Sequence, residues 1–296
     1  MTGPRLHADE VDVDDVSVRG LIDRQFPHWA GRPLVRLSST GTDNAIYRLG
    51  DDLAVRVPRI GWAAQQVDRE HAWLPKLAPH LSVEVPDPVE VGEPDLGYPF
   101  RWLLYRWIDG EDAGVGDVGD WCGLARDVAE FVRELHLVDT EGAPLARNRG
   151  RSLEPHDEAV RRAIQAMGHE IDADRALALW DEALHAEPWT GPPVWVHGDL
   201  LPGNLLVRDG RLVGVLDWSA TGVGDPACET MLAWAMPAEA RAVYRESLGL
   251  DDATWARGRG WTIEQAVKFI PYYATTIPKA VEAARRRLEV VLADSR

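Results

Sequence analysis

The hydrophobic pattern of this chain changes about a third of the way along, and the change limits the folds that it can adopt. Up to about residue 108, short segments alternate apolar and polar side chains, as in LVRLSSTGTDNAIYRLGDDLAVRVPR, where Gly50-Asp51-Asp52 marks a tight turn. After that point, apolar residues recur at helical spacing, first over residues 119–138. The sequence therefore predicts an α+β fold, in which a small antiparallel sheet is followed by a larger, mainly helical part.

The same pattern predicts the individual elements and the boundary between the two parts. The boundary lies in IDGEDAGVGDVGD, a segment rich in Gly and Asp, which divides the chain into domains 1–108 and 109–296. In the first domain we expect strands at about 34–38, 44–49, 53–57, 88–92 and 100–106, and helices over 14–27 and 62–78. In the second we expect helices over 119–138, 157–169, 173–187 and from 226 onward, and a hairpin of strands 205–207 and 212–217.

Charge and composition narrow the range of partners. The net charge of −16 argues against a nucleic-acid partner, because a phosphate backbone requires a basic surface. The same charge would attract a cationic small molecule, although solubility is an equally simple explanation for it. No apolar run is long enough to span a membrane, so no membrane partner is expected. The acidic N-terminus and two widely separated cysteines, Cys122 and Cys228, favour a cytoplasmic protein.

One loop and the hairpin after it combine the residues that phosphoryl transfer requires. The loop HGDLLPGN contains Asp199 and Asn204, and Asp217 follows the second hairpin strand. Since an antiparallel hairpin brings its two ends together, we expect Asn204 and Asp217 to lie side by side. Magnesium prefers such hard oxygen ligands, supplemented by phosphate oxygens. Taken alone, however, each of these residues is also common in caps and turns.

The loop and hairpin resemble the equivalent parts of known kinases. HGDLLPGN resembles the catalytic loop H-R-D-L-x-x-x-N of protein kinases, and Leu216-Asp217-Trp218 falls where their D-F-G motif stands. The Gly after His and the Trp after Asp look more like the aminoglycoside and macrolide phosphotransferases, which are antibiotic kinases. Three further segments resemble that family: Gly224-Asp225-Pro226, Thr42-Asp43-Asn44 and LAVRVPR at 53–59. The resemblance covers about residues 35–235.

The resemblance implies a fold and a reaction. The fold is a two-lobed protein-kinase-like one, with nucleotide bound by the N-terminal lobe and the acceptor by the helical lobe. The reaction is Mg²⁺-dependent transfer of the γ-phosphoryl group of ATP or GTP to a hydroxyl of a small molecule. The implied acceptor is an aminoglycoside or macrolide, and phosphorylation of such a drug would confer antibiotic resistance. The alternatives are a metabolite such as an amino alcohol or a sugar, or nucleotide binding without catalysis. A protein kinase is disfavoured because the segment between Trp218 and Asp225 is short and no A-P-E follows.

Roles in the loop follow from the same resemblance. Asp199 orients the attacking hydroxyl and accepts its proton, while Asn204 and Asp217 bind magnesium. His197 organises the loop through hydrogen bonds to the backbone, in preference to acting as a general base.

The phosphate-binding cation departs from the kinase pattern. Kinases place a lysine on the third strand, but no lysine precedes Lys76 here, and Arg56 occupies the position in LAVR. A guanidinium is always charged and can fork onto phosphate oxygens. Glu70 on the following helix is its expected partner. Arg59 and Asp68 are the rival candidates for the cation and for its partner.

Three further regions are assigned by position alone. Ser39 and Gly41, in the polar loop 38–42, are expected to cover the phosphates, although one glycine makes a poor glycine-rich loop. The backbone of Tyr105, Trp107 and Ile108 is expected to contact the nucleotide base. The acidic residues of the C-terminal helices could meet a cationic amino sugar or could be ordinary surface; they are Asp251, Asp252 and Glu264.

Overall fold

The computed structural model describes residues 7, 9–37 and 43–294, and these form two compact units. The first comprises Met1–Pro79 and Glu84–Asp109, and the second comprises His80–Val83 and Gly110–Arg296. Among the described residues, no helix has both the length and the apolar character that a membrane span needs.

A five-stranded antiparallel sheet forms the centre of the first unit. Its strands are β1 (Leu34–Arg36), β2 (Asn44–Leu49), β3 (Leu53–Pro58), β4 (Pro88–Gly92) and β5 (Trp102–Arg106), in the spatial order β1-β2-β3-β5-β4. The β2–β3 hairpin closes at Gly50, whose φ of +63° suits glycine better than residues with a side chain. In β3, Arg56 lies opposite Ile46 on one side and Leu103 on the other. This register fixes the position of Arg56 in the middle of the sheet.

Two helices accompany this sheet. They are α1 (Asp15–Gln25) and α2 (Gly61–Leu77). The Asp14 side chain caps α1 by accepting from the Ser17 amide at 2.7 Å. Pro75 does not end α2, which continues to Leu77. The core of the unit is apolar and includes Tyr47, Val55 and Trp102, all fully buried.

The second unit consists mainly of helices, with two small sheets. Its helices are α3 (Trp121–Leu137), α4 (Asp157–Ala166), α5 (Ala173–His185), α6 (Ala238–Leu248), α7 (Asp252–Tyr273) and α8 (Pro278–Ala293). Its strands are β6 (Glu111–Asp112), β7 (Val194–Val196), β8 (Leu205–Arg208), β9 (Arg211–Val215) and β10 (Gly222–Gly224). The sheet orders are β6-β8-β9 and β10-β7.

Helix α7 is buried along most of its length because small residues let it pack closely. A Cβ atom on Gly258 would lie 1.6 Å from Thr230 Oγ1, and one on Gly260 would lie 2.7 Å from the Ala183 Cβ. Both positions therefore require glycine. The close packing holds the polar side chains of α7, including Glu264 and Gln265, inside the unit.

The fold class predicted from the sequence is confirmed, and the differences lie in short elements. Strands β7 and β10 were not expected, because three residues are too few to show a periodic pattern. The segment read as a boundary contains β6. The second hairpin strand was expected to run to 217, but β9 ends at Val215 because Asp217 adopts a left-handed conformation.

Candidate functional site

The loop after β7 depends on a glycine at its second position. Gly198 has a φ of +79°, and a Cβ atom there would lie 3.2 Å from both the Cβ and the carbonyl oxygen of Ala220. Residues with a side chain rarely adopt this conformation, and the space is already tight. The Gly that follows His in HGDLLPGN is therefore a requirement of this loop.

His197 joins the loop to the far end of the hairpin. The imidazole is fully buried, its Nε2 donates to Leu216 O at 2.9 Å, and its Nδ1 accepts from the Asp199 amide at 3.2 Å. Burial lowers the pKa of His197, which keeps the ring neutral and suits this donor–acceptor pair. The expected bonding of His197 to the backbone is confirmed.

Asn204 is fixed against Asp199. Its Nδ2 donates to Asp199 O at 2.8 Å and lies 3.4 Å from Asp199 Oδ2. The Leu216 amide donates to Asn204 O at 2.8 Å, one step beyond the β8–β9 ladder. The loop and hairpin therefore bring Asn204 to the end of the hairpin from which Asp217 follows.

Asp217 has an unusual backbone conformation. Its φ of 58° and ψ of 72° are left-handed, which is uncommon for a residue with a side chain and is held only where the surroundings enforce it. Trp218 supplies that constraint: it is buried, its Nε1 donates to Val215 O at 2.9 Å, and its ring packs edge-on against Phe131 and His197. The geometry turns the chain sharply at the aspartate.

The chemistry of this donor set fits magnesium. Because the Asn204 amide nitrogen is directed at Asp199, its Oδ1 is the atom suited to a cation, and Asp217 offers a carboxylate. The described residues contain no group of three or more His, Cys, Asp or Glu side chains that could hold a metal by themselves. An ion bound here would take its remaining ligands from phosphate and water, as Mg²⁺ commonly does.

Arg149 contacts the Asp199 carboxylate and was not predicted from the sequence. Its Nη1 forms an ion pair with Asp199 Oδ1 and donates to Gly198 O at 3.1 Å. The arginine comes from the irregular segment between α3 and α4, where no periodicity or motif marks it. The aspartate is therefore held from two sides, by Arg149 and by Asn204.

Glu229 supports the same loop, and nothing in the sequence assigned it a role. It is 1% exposed, and its Oε1 accepts from the Gly198 amide at 3.1 Å. Burial raises the pKa of Glu229 to about 7, while the backbone hydrogen bonds act in the opposite direction. The loop thus rests on a carboxyl group that titrates near neutral pH.

In the first unit, Arg56 is part of a buried cluster of three. It forms an ion pair with Glu70 Oε1, and the Tyr105 hydroxyl donates to Glu70 Oε2. Burial and the Glu70 charge raise the pKa of Tyr105 well above its ordinary value, so the hydroxyl keeps its proton. The expected pairing of Arg56 with Glu70 is confirmed, whereas the contribution of the Tyr105 hydroxyl was missed.

The rival residues have other partners. Arg59 pairs with Glu10 at 2.8 Å, and the exposed Asp68 pairs with Arg101. These contacts leave Arg56 and Glu70 as the buried pair of β3 and α2.

The remaining nucleotide-site predictions stay predictions, and the structure shows only where some of these residues lie. Tyr105 lies in β5, and Ile108 is buried just beyond it. The Trp107 amide donates to Asp52 O at 2.9 Å, and its ring lies 4.4 Å from the Arg48 guanidinium carbon. Ser39 and Gly41 lie outside the described residues.

The acidic residues of the C-terminal helices are engaged within the protein. Asp251 caps α7 by accepting from the Thr254 amide at 2.6 Å, and Asp252 contacts Arg245. Glu264 is 3% exposed and contacts both Lys268 Nζ, at 2.5 Å, and His156 Nδ1, at 3.2 Å. These contacts favour the structural reading of the three acids.

Comparisons with known proteins match the sequence of this chain to phosphotransferases. Residues 35–261 match the model of the phosphotransferase enzyme family, APH. An aminoglycoside 3'-phosphotransferase of Escherichia coli is 27% identical over 203 residues, covering 64% of this chain and 72% of that protein. The uncharacterised protein YcbJ of Bacillus subtilis is 25% identical over 221 residues, covering 67% and 68%.

Solved structures agree in fold. The GDP complex of an aminoglycoside 2'-phosphotransferase-IIIa mutant matches with a TM-score of 0.73 at 20% identity, covering 94% of this chain and 97% of that one. The macrolide 2'-phosphotransferase MphH from Brachybacterium faecium matches with a TM-score of 0.60 at 23% identity, covering 95% and 98%. At these identities the likeness shows the fold, which is the predicted one.

Proposed function

The chain belongs to the phosphotransferase enzyme family, and on that basis we propose that it moves the γ-phosphoryl group of ATP or GTP to a hydroxyl of a small molecule. The observation that carries the proposal is the contact of Asn204 Nδ2 with Asp199, at 2.8 Å to its carbonyl oxygen, at the open end of the β8–β9 hairpin. This contact fixes an acid and an amide oxygen next to each other, as phosphoryl transfer needs.

Asp199 would orient the attacking hydroxyl and accept its proton. Transfer of a phosphoryl group requires little covalent chemistry, so positioning and charge stabilisation supply most of the rate. Arg149 and Asn204 restrict the rotation of the Asp199 side chain, which supports a positioning role. The buried, neutral His197 is bonded to the backbone on both nitrogens, which leaves Asp199 as the candidate base.

Asn204 Oδ1 and the Asp217 carboxylate would hold Mg²⁺. When bound, the ion neutralises charge on the nucleotide phosphates. The residues of this chain would contribute the ligand oxygens and their orientation. The left-handed backbone of Asp217 would set the direction of its carboxylate.

Arg56 would bind the nucleotide phosphates in place of the usual lysine. Its ion pair with Glu70 and the hydroxyl of Tyr105 fix the guanidinium plane, and a fixed fork matches phosphate oxygens well. The backbone of Tyr105, Trp107 and Ile108 remains our candidate for the base contact, with the Trp107 amide already donated to Asp52.

An aminoglycoside or macrolide is the first candidate acceptor. Related proteins carry these names, and solved complexes of such proteins contain GDP with kanamycin or ATP with streptomycin. Phosphorylation of such a drug would give resistance. A metabolite is the second candidate, favoured by the finding that Asp251, Asp252 and Glu264 already have partners within the protein.

The test is release of nucleoside diphosphate by the purified protein with magnesium. ATP and GTP are supplied separately, against aminoglycosides, macrolides, amino alcohols and sugars, with chelation of magnesium as the blank. We expect release that depends on both the acceptor and the metal. Absence of release with every acceptor, together with absence of slow hydrolysis, would rule the proposal out.

A further inference from the structure

The irregular segment that carries Arg149 is anchored to β10 and to the residue that follows it. Before the arginine, the Ala146 amide donates to Val223 O at 3.0 Å. After the arginine, Gly150 O accepts from the Asp225 amide at 2.8 Å. The backbone on both sides of Arg149 is therefore fixed, although it forms no helix or strand.

The same segment packs against β7, from which the loop of Asp199 continues. A Cβ atom on Gly150 would lie 3.0 Å from Val196 Cγ2, so the segment and the strand approach each other closely. Val196 is the last residue of β7 and pairs with Gly222 of β10. Arg149 and the loop are thus both held against one two-stranded sheet, which fixes their relative positions.

Arg149 contacts the loop through one of its nitrogens. Nη1 forms an ion pair with Asp199 Oδ1 and donates to Gly198 O at 3.1 Å. Burial disfavours the charge of Arg149, but the carboxylates of Asp199 and Glu264 outweigh burial and raise its pKa above the ordinary value. The guanidinium is therefore always charged and cannot accept a proton. As a result, Oδ1 is committed to a permanent cation.

The two carboxylate oxygens of Asp199 have different surroundings. Oδ2 has a single hydrogen-bond partner among the described residues, Asn204 Nδ2, which lies at 3.4 Å, beyond the usual range. The shorter bond of this amide, at 2.8 Å, is to Asp199 O. The Asp199 side chain is 25% exposed. One oxygen is therefore occupied, and the other is only weakly bonded and can receive an O–H group.

We propose that Asp199 Oδ2 is the atom that accepts the proton of the acceptor hydroxyl, and that Arg149 is a positioning residue that acts by holding Oδ1. In the transfer step, the O–H proton moves to Oδ2 and the hydroxyl oxygen forms a bond to the γ-phosphorus. The bond from the γ-phosphorus to the bridging oxygen breaks, and the nucleoside diphosphate leaves with that electron pair. This inference rests on the proposed function and deepens it by naming the oxygen that reacts.

The ion pair is what fixes the rotation of the Asp199 carboxylate. Without Arg149, the remaining contact of the carboxylate would be the long bond from Asn204. Phosphoryl transfer depends on position more than on covalent chemistry, so a displaced oxygen slows the chemical step while nucleotide binding is unaffected. If Arg149 instead blocked Asp199, its removal would speed the reaction.

Steady-state kinetics of Arg149→Met provide the first test. Release of nucleoside diphosphate from Mg²⁺-ATP and Mg²⁺-GTP is measured with water as the acceptor, and with each acceptor that stimulates release by the wild type. We expect kcat to fall by about tenfold to a hundredfold, while the Kd for the nucleotide stays within about twofold. Arg151→Met, on an exposed residue of the same segment, is the matched control and should keep the wild-type kcat.

Arg149→Lys separates the charge from the packing of the side chain. Because Nη1 alone makes both contacts, one ammonium group can replace it, although lysine is shorter. We expect a kcat between those of the wild type and Arg149→Met, measured well below the melting temperature of each variant. Equal kcat values for Arg149→Lys and Arg149→Met would mean that the charge does not position Asp199 and would overturn the proposal.

Crystal structures give a measurement that needs no turnover. The wild type and Arg149→Met are crystallised with Mg²⁺ and ADP, and the orientation of the Asp199 carboxylate is compared. We expect Oδ1 to stay on Arg149 in the wild type and the carboxylate to be rotated in the variant. The same carboxylate orientation in both structures would overturn the positioning role.

Failure of this inference can be separated from failure of the proposed function. Acceptor-dependent release with an unchanged or higher kcat in Arg149→Met would overturn the inference and leave the phosphotransferase proposal intact. A wild type that shows neither release with any acceptor nor slow hydrolysis would overturn the proposed function and, with it, the proton transfer to Oδ2.

Discussion

Each unit contains an arginine that forms an ion pair with a carboxylate of the candidate site, but the two ion pairs are held in different ways. In the first unit, Arg56 on β3 meets Glu70 on α2, and both side chains are buried. In the second, Arg149 comes from an irregular segment and meets a partly exposed Asp199 in a loop. The Arg56–Glu70 pair is a rigid pair because both of its residues lie on regular elements. The Arg149–Asp199 pair is a loop pair, and it leaves its aspartate accessible to a substrate.

The largest expected effect is in the rigid pair. Arg56→Met leaves Glu70 buried without its cation, and we expect a loss of about 3–5 kcal/mol in the free energy of unfolding. Denaturant unfolding measures this loss, with Arg106→Met, on an exposed site of β5, as the control. A loss below about 1 kcal/mol would show that the pair is not structurally important. It would also contradict the expected difference in stability between this pair and the Arg149–Asp199 pair.

The second largest effect should be the pH dependence of stability that arises from Glu229. Because its folded pKa is raised from 4.5 to about 7, the folded state binds the proton more tightly. The associated stability is fully present below pH 4.5 and is lost as the pH rises through about 7. Glu229→Gln removes this dependence. The free energy of unfolding of the variant, relative to that of the wild type, should therefore rise by up to about 3 kcal/mol between pH 5 and pH 8.

Thermal unfolding of the wild type and Glu229→Gln at several pH values checks this expectation. A constant difference between them across that range would mean that Glu229 does not titrate there.

The loop pair should contribute less to stability than the rigid pair. Asp199 is partly exposed, so its charge can be hydrated when the arginine is lost, and we expect Arg149→Met to cost about 1–2 kcal/mol. Arg151→Met, on an exposed residue of the same segment, is the control. A cost as large as that of Arg56→Met would contradict the distinction between the two pairs.

The smallest expected effect concerns Tyr105. Tyr105→Phe removes the hydroxyl that donates to Glu70 but leaves the ion pair with Arg56, so we expect a loss of about 1 kcal/mol. The exposed Tyr272→Phe provides the comparison. If the loss matched that of Arg56→Met, the tyrosine and not the arginine would be the main support of Glu70.

The contrast between the units also explains how far the sequence could be interpreted. Alternation and helical spacing predicted the elements that hold Arg56 and Glu70, and the resemblance to kinases then implied their pairing. The hairpin geometry likewise predicted that Asn204 would reach the end from which Asp217 follows. In each case the residues lie on or beside regular elements, whose periodicity is visible in the chain.

What the sequence did not show depends on irregular or long-range contacts. Arg149 is separated from Asp199 by 50 positions and lies on no periodic segment. The hydroxyl of Tyr105 was missed because strand alternation gives a side chain's face but not its hydrogen-bond partner.

The most direct test of the account is the effect of Asp199→Asn on turnover and on nucleotide affinity, measured on the same preparation. We predict that kcat for phosphoryl transfer falls by at least about a hundredfold, the range for loss of a general base, while the Kd for Mg²⁺-nucleotide stays within about twofold. Asp209→Asn, in the turn of the adjacent hairpin, should leave both unchanged. Near-full activity of Asp199→Asn would contradict the central claim that this carboxylate acts on the acceptor hydroxyl.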